Sequence, residues 1–514
     1  MKKIFFILLC PSFIFAQDGA FRYFVSFTNK ANTTFSIDIP EEYLSEKTIT
    51  KRLKFSLPID STDLPINKQY VDFLKSVGLI IENKSKWFNG VVVSTFDSLL
   101  VQTLNHQFID TIISFGSWQN SKKIDKKWKL DYSITDYADA YNQLEMLGGD
   151  KMHAKGYLGS GMTIAVIDAG FYKVNELEVF ADIQNQIVAT YDFVDGNNNV
   201  YDDHTHGMMV LSTMGAKQRG KMIGTAPDAN YLLLRSEDVF SENLIEEYMW
   251  VCAAEYADSS GADIINSSLG YTTFDDVLQN YTYSDMDGKT APISIGAGMA
   301  YSKGIIVVNS AGNSGNSNWH YIGAPADHYD VMSVGAVDEN DEFASFSSYG
   351  PNADGFTKPN VVAQGKNTVI ISSSDNTVRT GNGTSFSSPI TAGMVACLWG
   401  ANIDKKPSEI KNAIYKSADK YLNPDDQFGY GIPDYLFAHN LLNTGFNIEI
   451  DLPVNLLISY KVFTMEGKLI LEGQTVKHNI NDRITFETPK TAGVYIINLF
   501  VDDYEVSEKF IVLE

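Results

Sequence analysis

The chain of 514 residues holds only three cysteines, Cys10, Cys252 and Cys397. That is too few for a disulfide framework. Cys252 and Cys397 fall in helix-like apolar patterns and are expected as buried free thiols. Positive charge is also scarce. There are 40 Lys and Arg against 63 Asp and Glu, for a net charge of −23. Such a balance argues against nucleic-acid or anionic-membrane partners. Beyond the first sixteen residues, no run is long and apolar enough for a membrane helix. Three catalytic signatures are missing as well: the H-E-x-x-H zinc site, the G-x-x-x-x-G-K phosphate loop and the G-x-S-x-G elbow.

What is present suits well-filled cores, with 44% apolar and 12% aromatic residues. At this length about three folding units are expected. Residues 1–16 read as a secretory signal. Lys2 and Lys3 form the charged start, Ile4 to Phe15 the apolar run, and Ala16 the small residue before Gln17. Leu9 before Cys10 lacks the small side chain expected of a lipoprotein signal. The protein is therefore expected to be secreted or held at the cell surface.

Residues 17–130 form a small α/β unit followed by a basic linker. A strand at Phe21 to Phe27, a helix at Tyr70 to Val77, a Val-rich strand at Gly90 to Ser94, a helix at Phe96 to Leu104 and a strand at Phe108 to Phe115 suit a small α/β sandwich. The first connection is long. Lys122, Lys123, Lys126, Lys127 and Lys129 crowd into the linker. A solvated surface segment and a site of proteolytic release both fit that run. Residues 131–445 change character. Met162 to Ile167, Ala262 to Asn266 and Ile305 to Asn309 read as strands buried on both faces. Helical patterns lie at Gly207 to Met214, Leu244 to Tyr256 and Ala291 to Lys303. The pattern implies a doubly wound, parallel α/β sheet. Residues 446–514 return to alternating strands around a Glu466-Gly467 turn, expected as a β-sandwich.

Three short segments carry chemistry. Asp168 ends the apolar run T-I-A-V-I-D-A-G. His206 stands in H-T-H-G-M-M-V. Ser385 stands in G-N-G-T-S-F-S-S-P. A serine hydroxyl needs a neighbouring base, and a helix start supplies N–H groups for a developing oxyanion. Pro389 is expected in the first helical turns, where its missing N–H matters little. A near-neutral imidazole suits the base, and a carboxylate at a strand's carboxyl end can orient it. Read singly, Ser385 could be a helix N-cap and Asp168 a turn residue. His204 is the rival base, but His206 alone is in register with the following Gly and Val.

Together, these motifs and the order Asp, His, Ser resemble the subtilisin-like serine proteases (subtilases) over roughly residues 140–445. The resemblance implies a serine endopeptidase with Asp168, His206 and Ser385 as its triad. It implies that Asn313, in S-A-G-N-S-G, is an oxyanion donor beside the Ser385 N–H. It also implies that Ser268, Leu269 and Gly270 form the edge on which peptide substrates pair, and that Gly323 to Ala326 lie near the P1 pocket. Two positions depart from the family pattern: Ala169 replaces a hydroxyl residue, and Met208 replaces Thr.

By the same resemblance, residues 17–130 are a propeptide that inhibits the enzyme. Residues 446–514, with M-E-G-K, A-G-V-Y-I-I-N-L and S-E-K-F-I-V, resemble the sorting domain read by the type IX secretion machinery. An ordinary β-appendage is the alternative there. No cofactor is required. Asp195 to Asp203 and Asp285 to Gly288 are candidate calcium sites, though turn chemistry accounts for both without a metal. One rival is a catalytically inactive protein of this fold acting as an adhesin, which a missing triad member would favour; none is missing. The other is an esterase, against which the missing G-x-S-x-G speaks.

Overall fold

The computed structural model describes residues 20–117, 140–443 apart from 219 and 373–375, 457–465, 467–476, 493–501 and 504–512. The signal-like segment and the Lys-rich run lie outside these residues. So does Glu466 of the expected turn.

Seven parallel strands form the main sheet, in the order Val361–Gln364, Met332–Val337, Ile306–Ser310, Ile264–Ser267, Thr163–Asp168, Asn230–Arg235 and Ile187–Asp192. This is the doubly wound plan that the uninterrupted β-branched runs imply. Thr163–Asp168 is buried along its whole length. Its side chains divide between two cores. Ile164 and Val166 pack with the helices His206–Gly215 and Thr384–Ala401 on one face. Ala165 and Ile167 pack with the helices Ile245–Ser260 and Pro292–Ser302 on the other. The chain winds to one side of Thr163–Asp168 and later to the other. Asp168 therefore ends a strand where the winding direction reverses, the usual location of sites in such sheets.

The N-terminal unit is a four-stranded antiparallel sheet ordered Ile80–Ser85, Gly90–Thr95, Phe21–Phe27 and Ile109–Ser117. Tyr23, Val25 and Phe27 face its own helix Lys68–Ser76 through Val71 and Leu74. Phe24 and Val92, on the other face, join the core around helix Ile245–Ser260. The rings of Phe24 and Tyr248 lie 4.6 Å apart. Both faces of this small sheet are thus covered, the second by the larger unit.

One helix, Glu46–Phe55, was not evident from the sequence. Ser45 caps its start by accepting from the Thr48 N–H, and Ser56 ends it in the left-handed conformation. Its buried residues are Thr48, Lys51, Arg52 and Phe55. That face is mostly polar, so hydrophobic periodicity could not mark it. It docks through charge. Arg52 Nη2 is 2.8 Å from Asp258 and 3.3 Å from Asp63, with all three side chains buried. Lys303 reaches Asp63 at 2.8 Å, and Lys47 reaches Asp263 at 2.6 Å. Glu255 accepts from Ser85 Oγ and from the N–H groups of Lys86 and Trp87.

The described C-terminal strands, Leu457–Thr464, Leu469–Val476, Gly493–Val501 and Tyr504–Val512, form one antiparallel sheet. Cys252 and Cys397 are free and buried. Among the described residues no helix is long and apolar enough to cross a membrane.

Candidate active site

Asp168 and His206 meet at the carboxyl end of the sheet. His206 Nδ1 donates to Asp168 Oδ1 at 2.7 Å, and both side chains are buried. The Ala169 N–H donates to the same oxygen at 2.8 Å. Holding the proton on Nδ1 makes Nε2 the basic nitrogen of the neutral ring. Asp168 Oδ2 is buried and has no hydrogen-bond partner among the described residues. The hydroxyl missing at Ala169 is consistent with that gap.

Two glycines allow this approach. A Cβ on Gly207 would lie 2.5 Å from Gly170 O and 3.0 Å from Asp168 Cβ. A Cβ on Gly170, at φ +145°, would lie 2.6 Å from the His204 nitrogen. Any side chain at either position forces the two segments apart.

His204 is half-buried and has a structural task. Its Nδ1 accepts from the His206 N–H at 3.2 Å, at the start of helix His206–Gly215. The Thr205 side chain makes no capping bond, so the imidazole replaces one.

Ser385 is the second residue of helix Thr384–Ala401 and is buried. Gly383, before it, has no side chain with which to cap the helix. The ring of Phe386 lies 6.2 Å from that of His206. Asn313 is exposed at the same helix start. Its Oδ1 accepts from the Thr384 N–H at 2.9 Å and from Thr384 Oγ1 at 3.0 Å. With the carbonyl side of the amide so fixed, the NH2 side is turned away from Thr384. That orientation suits a donor to an oxyanion.

Pro389 lies inside the helix, not at its free first turn. Its missing N–H would have bonded to the carbonyl of Ser385. That carbonyl instead accepts from Ser268 Oγ at 3.0 Å. Asn266, which sequence reading placed only in a strand, links the set. Its Nδ2 donates to Ser268 Oγ at 3.3 Å, and its Oδ1 accepts from Ser388 Oγ at 3.0 Å. Leu269 O accepts from Asn309 Nδ2 at 3.0 Å. Gly270 is exposed, and a Cβ there would meet only Ala324 O at 3.9 Å. Tyr271 pairs with Ala324 through both backbone bonds, at 2.9 and 3.2 Å. Ser268 to Gly270 and Gly323 to Ala326 are therefore neighbours.

The candidate calcium stretches are engaged otherwise. Asp192, Asp195 and Asp203 bring carboxylate oxygens within 4.8 Å of one another. Arg235 Nη1 contacts them at 2.8, 3.0 and 3.2 Å respectively. A guanidinium already supplies the cation, so these residues do not fit a calcium ion as well. Asp285 Oδ2 accepts from the N–H and Oγ1 of Thr282, and Asp287 Oδ1 accepts from the N–H groups of Lys289 and Thr290. These are cap and turn bonds. A further acidic group, Glu237, Glu242 and Glu246, was missed because its members are spread over a loop and a helix start.

Comparison with known proteins gives the family. Residues 159–431 match the subtilase family (Peptidase S8), and residues 22–129 match the Peptidase S8 propeptide domain of Bacteroidota. Thermophilic serine proteinase of Bacillus sp. (strain AK1) is 32% identical over 53% of this chain and 60% of its own length. Serine protease AprX of Bacillus subtilis (strain 168) is 31% identical over 52% of this chain and 63% of its own length. Subtilisin DY of Bacillus licheniformis is 30% identical over 56% of this chain and 93% of its own length. The chain thus spans less than two thirds of the first two. With the parallel sheet and the family match agreeing over more than half its length, the chain belongs to the subtilase family.

Proposed function

We propose that the protein is an exported serine endopeptidase, made as a proenzyme, that cleaves peptide bonds through an acyl-enzyme intermediate. The observation that carries this reading is the buried 2.7 Å bond from His206 to Asp168, with the ring of Phe386, the residue after Ser385, 6.2 Å from that of His206. Ser385 Oγ attacks the scissile carbonyl while His206 Nε2 takes its proton. Asp168 fixes the tautomer and offsets the imidazolium charge. The Asn313 NH2 and the Ser385 N–H stabilise the oxyanion. His206 then returns the proton to the leaving amine. The substrate backbone adds to Ser268, Leu269 and Gly270, where the exposed glycine offers main-chain atoms without a side chain in the way.

Residues 17–130 act as the inhibitory propeptide, with release in the Lys-rich linker. Residues 446–514 direct export through the type IX machinery, and residues 1–16 direct the first membrane passage. The propeptide match over 22–129 supports the proenzyme reading. The test is covalent labelling by a fluorophosphonate probe. Wild-type protein is expected to label on Ser385, and Ser385→Ala to lose the label. Equal labelling of both would contradict the assignment of the nucleophile.

A further inference from the structure

We propose that Arg235 is a positioning residue for His206: a cation built into the chain that clamps the loop between Asp192 and His206, as a bound divalent ion otherwise could. The inference rests on His206 being the base.

The backbone of Arg235 is fixed at the functional end of the sheet. It lies in register with Asp168 on one side and Asp192 on the other. The next residue, Ser236, donates its N–H to the Asp168 carbonyl at 3.1 Å. From this anchored position the side chain, only 5% exposed, reaches into the loop. It holds Asp192 where the loop leaves the sheet and Asp203 where the loop returns, with Asp195 between them. One guanidinium therefore closes both ends of the excursion.

Asp203 passes that restraint on. Its Cβ lies against Gly170, 2.8 Å from where a Cβ on that glycine would sit. Gly170 follows Asp168 by two positions. The residue after Asp203 is His204, whose Nδ1 holds the His206 N–H. The relay runs from Arg235 through Asp203 and His204 to the first residue of the His206 helix. Burial raises the Asp203 pKa to about 6, with Arg235 opposing the rise. An ionised carboxylate there is unfavourable for the fold by itself, which fits a positional use. Removing Arg235 leaves three carboxylates around a space of cation size, so calcium becomes a substitute for the lost charge.

The test compares wild type, Arg235→Gln and Asp203→Asn, each expressed as the full-length chain and assayed after maturation, on a peptide substrate with and without millimolar calcium chloride. Arg235→Gln is expected to lose at least about tenfold in kcat with KM within about twofold. Calcium should restore most of that loss while leaving wild-type kcat unchanged. Asp203→Asn, which keeps the Arg235–Asp192 pair, is expected to lose kcat without a fall in Tm. Calcium should not restore it. Unchanged kcat in Arg235→Gln, a loss confined to KM, or a kcat loss that calcium fails to restore would each overturn the proposal. If Arg235→Gln does not fold, Asp203→Asn decides, and wild-type kcat in that variant overturns it. Wild type that cleaves nothing would instead contradict the protease reading itself.

Discussion

Ser268 Oγ donates to the carbonyl oxygen of Ser385 at 3.0 Å. The bond joins the segment proposed to pair with substrate to the residue proposed to attack it. It exists because Pro389 cannot supply the N–H that the helix would have given that carbonyl.

Ser268→Ala leaves the Ser385 carbonyl buried without this donor. The expected loss is about 1–3 kcal/mol of stability, the usual cost of an unsatisfied buried acceptor. Chemical denaturation of the matured protein measures it. A change below about 0.5 kcal/mol, the range of an ordinary surface substitution, would mean the carbonyl finds another partner.

Arg52 is the central charge of the contact between the two units, and Asp63 and Asp258 both face it. Truncating one partner of such a buried set costs about 3–5 kcal/mol, mainly because the remaining charges lose their compensation. The N-terminal unit carrying Arg52→Ala, added in trans, should therefore inhibit at least about 100-fold more weakly. An inhibition constant within about threefold of wild type would show that apolar packing around Phe24 and Tyr248 suffices.

The same contact should depend on pH. Burial raises the Glu255 pKa to about 7, against the hydrogen bonds from Ser85 and Lys86 that lower it. The docked state therefore holds an extra proton between the ordinary carboxylate range and about pH 7. Docking is strongest below that window and weakens as pH rises through it. Inhibition in trans should fall by up to about tenfold per pH unit there, the limit for one proton. Glu255→Gln should flatten the profile. Inhibition that strengthens as pH rises, or a profile that is the same in Glu255→Gln, would contradict this.

The parallel α/β sheet was legible because its strands are buried on both faces and the helices on it carry apolar faces. Asp168, His206 and Ser385 stand at ends of those elements, beside glycines whose need the structure explains at Gly170 and Gly207. Helix Glu46–Phe55 was not legible, because it docks with Lys51 and Arg52 and leaves no apolar stripe. The Arg235 cluster was read as an acidic stretch because its cation comes from a strand some thirty residues further on. The capping bond of His204 was not legible, because a capping imidazole has no sequence signature distinct from a loop histidine.

The most direct measurement of the central claim is kcat for His206→Ala and His204→Ala side by side, each with folding checked by circular dichroism. His206→Ala should lose at least about 10⁴-fold, as removal of the base from a triad does. His204→Ala should lose far less, on the order of tenfold to a hundredfold, since it removes the cap that positions His206 and not the base itself. Near-normal turnover in His206→Ala, with turnover abolished in His204→Ala, would contradict the assignment of Asp168, His206 and Ser385 as one catalytic unit.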